Sequence, residues 1–188
     1  ARSRVITEYL GLGSLQDQAR LAIARNQPFE DSTIWGLIHE IVSGLKYLHS
    51  INKVHGNLST SNVLLDGDAA LQSFTIVKLS DALVNASRSE RTSHHDSYRA
   101  PETASDSSPS PAADIWSVGA IVAELALERS LSQEELLNVI ETELSSLGDF
   151  ANIVKTCCDT DASKRPNIGQ VESLAQEALF PPLSPHTP

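Results

Sequence analysis

Residues 114–127, DIWSVGAIVAELAL, constrain the fold more than any other stretch. They read as a helix that is apolar on nearly every face, broken only by Asp114, Ser117 and Glu124. Such a helix is buried on most sides, so other elements must surround it. At 188 residues the chain suits one domain with a core of its own, over residues 1–180, followed by a proline-rich tail at 181–188.

The surrounding elements are legible from periodicity. Residues 4–10 read as a strand. Ser14 can cap a helix over about 15–25. Asp31 or Ser32 caps the next helix, which runs to His49 with Ile34, Leu37, Ile38, Ile41, Val42, Leu45 and Leu48 on one face. VLLD, the turn GDAA and FTIVKLSD predict a short hairpin. Residues 84–97 and 105–113 are polar, rich in turn formers and without period, and predict loops, the first of them long and mobile. Helices are expected over about 132–145, 149–158 and 168–179, with Pro166 at the entry to the last. The class is therefore mainly α, a helical bundle with a small β-hairpin sheet.

Charge and cysteine content narrow the function. A net charge of -10 argues against nucleic-acid and anionic-membrane surfaces. No apolar run approaches the roughly 18 residues of a membrane span, and no signal-peptide pattern opens the chain. The two cysteines, Cys157 and Cys158, are adjacent and read as small apolar residues on a helix, in a reducing, cytoplasmic compartment. His94 and His95 read as a solvated pair rather than a metal site.

The stretch VHGNLSTSNVLL, residues 54–65, carries the chemical question. It occurs within an ordered series: EYLGLGSL, YLHSINKVHGNLSTSNVLL, VKLSDAL, YRAPE, DIWSVGAIVAEL and KRPNI. The series resembles the large C-terminal lobe of a protein kinase and covers nearly the whole chain. The H-R-D-L-x-x-x-N pattern matches at His55, Leu58 and Asn62, D-F-G only at Asp81, and A-P-E fully at Ala100, Pro101 and Glu102. PFEDSTIWGLIHEIVSGLKYLH is most similar to NIMA-related Ser/Thr kinases. The HGN…N pattern with KLSD is also similar to the pseudokinase domain of Janus kinases.

The resemblance implies a role for each matched position. The proton-accepting Asp is replaced by Asn57, which has neither charge nor useful basicity near neutral pH. The phosphoryl-steadying Lys is replaced by Ser59. Gly56 replaces an Arg that docks a phosphorylated loop, so phosphates on Thr92, Ser93 or Ser97 would lack a partner. Asn62 and Asp81 stand where the family places its two Mg²⁺ ligands. Ala82 and Leu83 replace the Phe and Gly that follow the metal-binding Asp. His55 reads as a packing residue rather than a base.

The family's small N-lobe, with its glycine-rich loop and Lys, is expected to be absent from this chain, and GLGSLQ is a poor phosphate cradle. Adenine could rest only on Leu64 and the hinge backbone from Glu8 to Leu10, with affinity of about millimolar or weaker. No cofactor is expected beyond weak ATP and Mg²⁺. Among residues that shape rather than react, Asp114 can accept backbone N–H groups of the loop and Trp116 anchors the core. Glu102 and Arg165 resemble a buried family ion pair, whose rupture costs about 3–5 kcal/mol.

These losses predict a catalytically impaired, non-enzymatic pseudokinase lobe that serves as a scaffold or allosteric binding module. The alternatives are a weak Ser/Thr kinase or a nucleotide-binding switch with an N-lobe outside the chain. An apolar top surface of Val5, Leu64, Val77 and Leu79 is expected to be covered by a protein partner, another copy or that lobe.

Overall fold

A computed structural model of the chain describes residues 8–81, 97–105 and 110–181. Six α-helices and one hairpin carry the architecture: α1 (Leu15–Ala24), α2 (Asp31–Ser50), β1 (Val63–Asp68), β2 (Ser73–Leu79), α3 (Pro111–Ala126), α4 (Gln133–Thr142), α5 (Ala151–Cys157) and α6 (Ile168–Leu179). Short 3₁₀ turns link them at Thr60–Asn62, Pro101–Ser105, Leu144–Phe150 and Ala162–Lys164.

The helix that the sequence marked as central is central. In α3 every residue from Ala113 to Ala123 is buried, with α2 and α5 packed against it. Trp116 is fully enclosed. Gly119 lets α5 approach, because a Cβ there would lie 2.5 Å from Cys158 Sγ and 2.9 Å from Cys157 Cβ. Both cysteines are buried, and burial pushes the Cys157 thiol up to about 12 and Cys158 upward as well. They act as small apolar residues and are inert as nucleophiles.

Helix α2 buries Ile34, Leu37, Ile38, Ile41, Val42 and Leu45 as its period requires, while Leu48 is half-buried. Trp35, off that stripe, is also buried and stacks on Phe150 with ring centroids 4.7 Å apart. The capping residue of α2 is Glu30 rather than Asp31 or Ser32. Asp31 lies within the first turn, where its charge still meets the positive end of the helix. Ser14 caps α1 as expected, in a reciprocal box with Asp17.

The hairpin is antiparallel, but its turn follows Asp68 rather than starting at Gly67. A bulge between Asp66 and Gly67 absorbs the extra residue. Gly67, at φ 142°, is required there because any Cβ would collide with the Ser73 carbonyl. The predicted helix at 132–145 ends at Thr142 and continues as a 3₁₀ turn with a kink at Gly148, so α5 begins only at Ala151. Of the predicted first strand, Glu8, Tyr9 and Leu10 are not in a strand. Its remainder, the loop at 84–96 and the tail from 182 lie outside the described residues. No helix among the described residues is long and apolar enough to cross a membrane.

The apolar top surface is less bare than expected. Leu64, Val77 and Leu79 are half-buried, the last two against the core, while Val5 lies outside the described residues. The pleat of β2 turns alternate side chains inward and leaves Ile76 exposed.

Candidate active site

The loop at residues 54–62 is held from below by α3. Asp114, in the first turn of α3 and 1% exposed, accepts the backbone N–H of His55 at 2.9 Å and of Gly56 at 2.7 Å. His49, at the end of α2, meets the same carboxylate at 2.8 Å. That contact was not read from the sequence, although His49 and Asp114 stood in quoted motifs. A buried carboxylate with such partners is an anchor rather than a reactant.

His55 is fully enclosed. Its Nδ1 accepts the Asn57 N–H at 3.3 Å, while Nε2 has no hydrogen bond of normal geometry. Burial pushes its pKa down, against the opposing pull of Asp114, the Ser80 backbone and Asp81. The neutral ring packs and braces the loop, as its sequence position suggested. Leu58 is buried beside it.

Gly56 has φ 69°, a left-handed conformation natural to glycine. The loop turns there without the cost of about 1–2 kcal/mol that a side chain would add. Ser59 is buried and shares a 2.8 Å hydrogen bond with Ser61, so it cannot act as a charged substitute for lysine.

The outer edge is a hydrogen-bonded cycle. Asn62 donates its side-chain amide to the Asn57 carbonyl at 2.7 Å, and Asn57 donates its own to the Asp81 carbonyl at 3.4 Å. Ser80 returns its N–H to the Asn62 carbonyl at 2.8 Å. Asn57 and Asp81 are exposed and Asn62 half-buried. Asp81 has φ 55°, left-handed for a residue with a side chain. The structure thus brings Asn57, Asn62 and Asp81 together. Asn62 spends its N–H₂ end on the loop, leaving its oxygen and the Asp81 carboxylate as hard donors of the kind Mg²⁺ takes. Ala82 and Leu83 lie outside the described residues.

The hinge positions divide. Leu10 is buried, and its carbonyl accepts the Gly13 N–H at 3.3 Å. Exposed Glu8 instead forms an ion pair with Lys78 on β2. Leu64 bridges to Ser14, which ties the start of β1 to the hinge.

The segment that begins at Ser97 is clamped onto α3. Trp116 donates its indole N–H to the Ser97 carbonyl at 2.9 Å, and Ser117 donates to the Tyr98 carbonyl at 2.7 Å. The Tyr98 hydroxyl bonds Glu124 and lies 2.8 Å from Thr60 Oγ1. This Thr60–Tyr98–Glu124 chain was missed, because Tyr98 gives no periodic signal. Ser97 was named as a phosphate acceptor, but it is 3% exposed and in this conformation cannot be reached. Thr92, Ser93, His94 and His95 lie outside the described residues.

Glu102 and Arg165 form the expected pair, at 2.7 and 2.8 Å in a two-pronged contact. Arg165 also donates to the carbonyls of Asp159 and Ala112 and lies over the Trp116 ring at 5.1 Å. Partial burial would raise the Glu102 pKa, but the Arg165 hydrogen bonds, a backbone N–H and the Arg165 charge outweigh it and hold the carboxyl below its usual range.

The family model described as "Protein kinase domain" matches residues 2–179. The chain is 32% identical over 125 residues to "Serine/threonine-protein kinase cst-1" of Caenorhabditis elegans, covering 65% of this chain and 24% of that protein. It is 32% identical to the kinase MCK1 of Pyricularia oryzae over 72% of this chain and 9% of the relative. It is 37% identical to "Mitogen-activated protein kinase p38b" of Drosophila melanogaster over 58% of this chain and 29% of the relative. The chain thus spans less than a third of the length of these relatives. The expectation of a non-enzyme is overturned, because the family model and the relatives' names are those of kinases. It rested on the missing base and Lys, the altered residues after Asp81 and the expected absence of a small lobe, and gave too little weight to the anchors and metal-side donors that persist. The expectation of no cofactor beyond weak ATP and Mg²⁺ meets the family at the coarse level, since the family generally works with both. From residue 2 to residue 179, the chain belongs to the protein kinase family.

Proposed function

We propose that this chain is a protein kinase lobe of weakened phosphoryl transfer, retained as a nucleotide-responsive regulatory binding module. The carrying observation is the cycle of Asn57, Asn62 and Asp81. It keeps two hard donors for a Mg²⁺–nucleotide while its base position holds a carboxamide. When bound, Mg²⁺ would neutralise phosphate charge. Asn57 can orient a substrate hydroxyl but cannot take its proton, a contribution of about 10²–10⁴-fold in enzymes that have the base. Ser59, buried and neutral, adds nothing to the transferring phosphoryl.

The same proposal includes a protein partner, or the family's small lobe, over the outer hairpin face, supported by exposed Ile76 on the same face as half-buried Leu64. It also includes a cytoplasmic setting, supported by two buried, unbridged cysteines. An affinity with NIMA-related kinases rests on the 28–49 stretch alone.

The test is paired. A thermal-shift titration of the full-length protein with ATP and Mg²⁺ should give a shift that Asp81→Ala removes. Labelled γ-phosphate transfer to a generic Ser/Thr substrate should run at least about 10²-fold below the 1–100 s⁻¹ typical of kinases. Transfer within that range, or no shift with nucleotide, overturns the proposal.

A further inference from the structure

The residue that removed the base has a hydrogen bond that a base could not make. Asn57 donates from Nδ2 to the Asp81 carbonyl, and a carboxylate at this position would have no proton to donate. It would instead set an anionic oxygen against that carbonyl. The Asp81 backbone sits at φ 55°, a region that Asp visits more readily than most residues with a Cβ but still less readily than the ordinary regions, so a bond to its carbonyl favours that conformation. The neighbouring links are in place: Asn62 Nδ2 holds the Asn57 carbonyl at 2.7 Å, and Ser80 N–H holds the Asn62 carbonyl at 2.8 Å. The Asn57 amide is the member that joins the loop to Asp81 itself.

We infer that Asn57 is a positioning residue, which holds Asp81 in its left-handed, cation-facing backbone conformation through a bond that requires a side-chain donor. The inference deepens the proposed function and rests on it for the cation, but not for the backbone effect. Replacing Asp by Asn at this position then exchanges one role for another: proton acceptance is lost and a fixed metal-side backbone is gained. Restoring the carboxylate would improve the chemistry and loosen the site.

The experiment uses the full-length protein and two variants, Asn57→Asp and Asn57→Ala. Hydrogen exchange at the Ser80 and Asp81 amides is read without nucleotide, and Mn²⁺ affinity is read by electron paramagnetic resonance with ADP present. Exchange at these amides should quicken roughly five- to tenfold in Asn57→Asp and less in Asn57→Ala. Mn²⁺ affinity should fall several-fold in Asn57→Asp despite the added negative charge. The KM for Mg²⁺–ATP should rise while kcat does not fall, a split that general loosening of the fold would not give. Unchanged exchange in both variants overturns the inference, as does tighter Mn²⁺ binding by Asn57→Asp. If the parent protein binds no Mn²⁺–ADP, the proposed function fails, and the exchange arm still decides the backbone role.

Discussion

Asp114 and Asn57 act on the same loop, one from the core and the other from the solvent-exposed edge. Asp114 is 1% exposed and takes two backbone N–H groups and an imidazole. Asn57 is exposed and makes one long side-chain hydrogen bond, at 3.4 Å. The buried side carries the charged anchors Asp114 and Arg165, whereas the edge keeps one carboxylate, Asp81, and is otherwise neutral at Gly56, Asn57 and Asn62. The difference follows from what each environment tolerates. A buried carboxylate stripped of its charge leaves unpaired donors behind it, while an exposed one can change and let water take over.

The sharpest test of that contrast is the ion pair of the core. Glu102→Gln should destabilise the protein by about 3 kcal/mol in urea unfolding, because Arg165 stays buried without its counter-charge. Its pH dependence has a definite sign. The Glu102 pKa is depressed in the folded state, so its contribution is complete above the ordinary value of 4.5 and is lost as pH falls through the folded value. The variant should therefore lose less stability than the parent over that acid window. An equal acid slope in both would break the assignment.

Asp114→Asn should cost about 2–3 kcal/mol, since an amide can accept at only one end and the other faces an N–H. Gly119→Ala follows, at about 1–3 kcal/mol, by forcing a methyl group against Cys158 and Cys157. Both are read by the midpoint of chemical denaturation. At the edge the expectation reverses. Asn57→Ala should leave global stability within about 0.5 kcal/mol of the parent, whatever it does to nucleotide binding. A loss of several kcal/mol there would erase the distinction between anchor and edge.

The legible part of the fold was the part carried by period and chemistry together. The apolar faces of α2 and α3 announced themselves because nearly every turn repeats the same demand for burial. The Glu102–Arg165 pair and the Asp114 anchor were readable because the resemblance to the kinase family marked those positions, and charges beside apolar helices must find partners. Trp35 escaped, since its position lies off the α2 stripe and becomes interior only when Phe150 stacks on it. The end of α4 was placed too late because the sequence shows no strong break before Gly148, where the backbone at φ 53° leaves the helix. Ser97 looked like an accessible hydroxyl in a polar run, and packing against Trp116 buried it.

By itself the sequence determined the kinase-like order of elements, the central buried helix, and the identity of the groups at 56, 57 and 59 that lack charge. Those properties are local: they reside in side-chain chemistry and in spacing along one chain. Only the tertiary structure decided what the replacements do instead. Whether Asn57 faces solvent alone or bonds Asp81 depends on how the loop at 55–62 meets the end of β2, residues separated by more than one element. The left-handed turns at Gly56 and Asp81, the meeting of His49 with Asp114, and the clamp on Tyr98 likewise come from contacts between distant segments. Backbone conformation at these points is selected by the packed whole, and no single stretch encodes it.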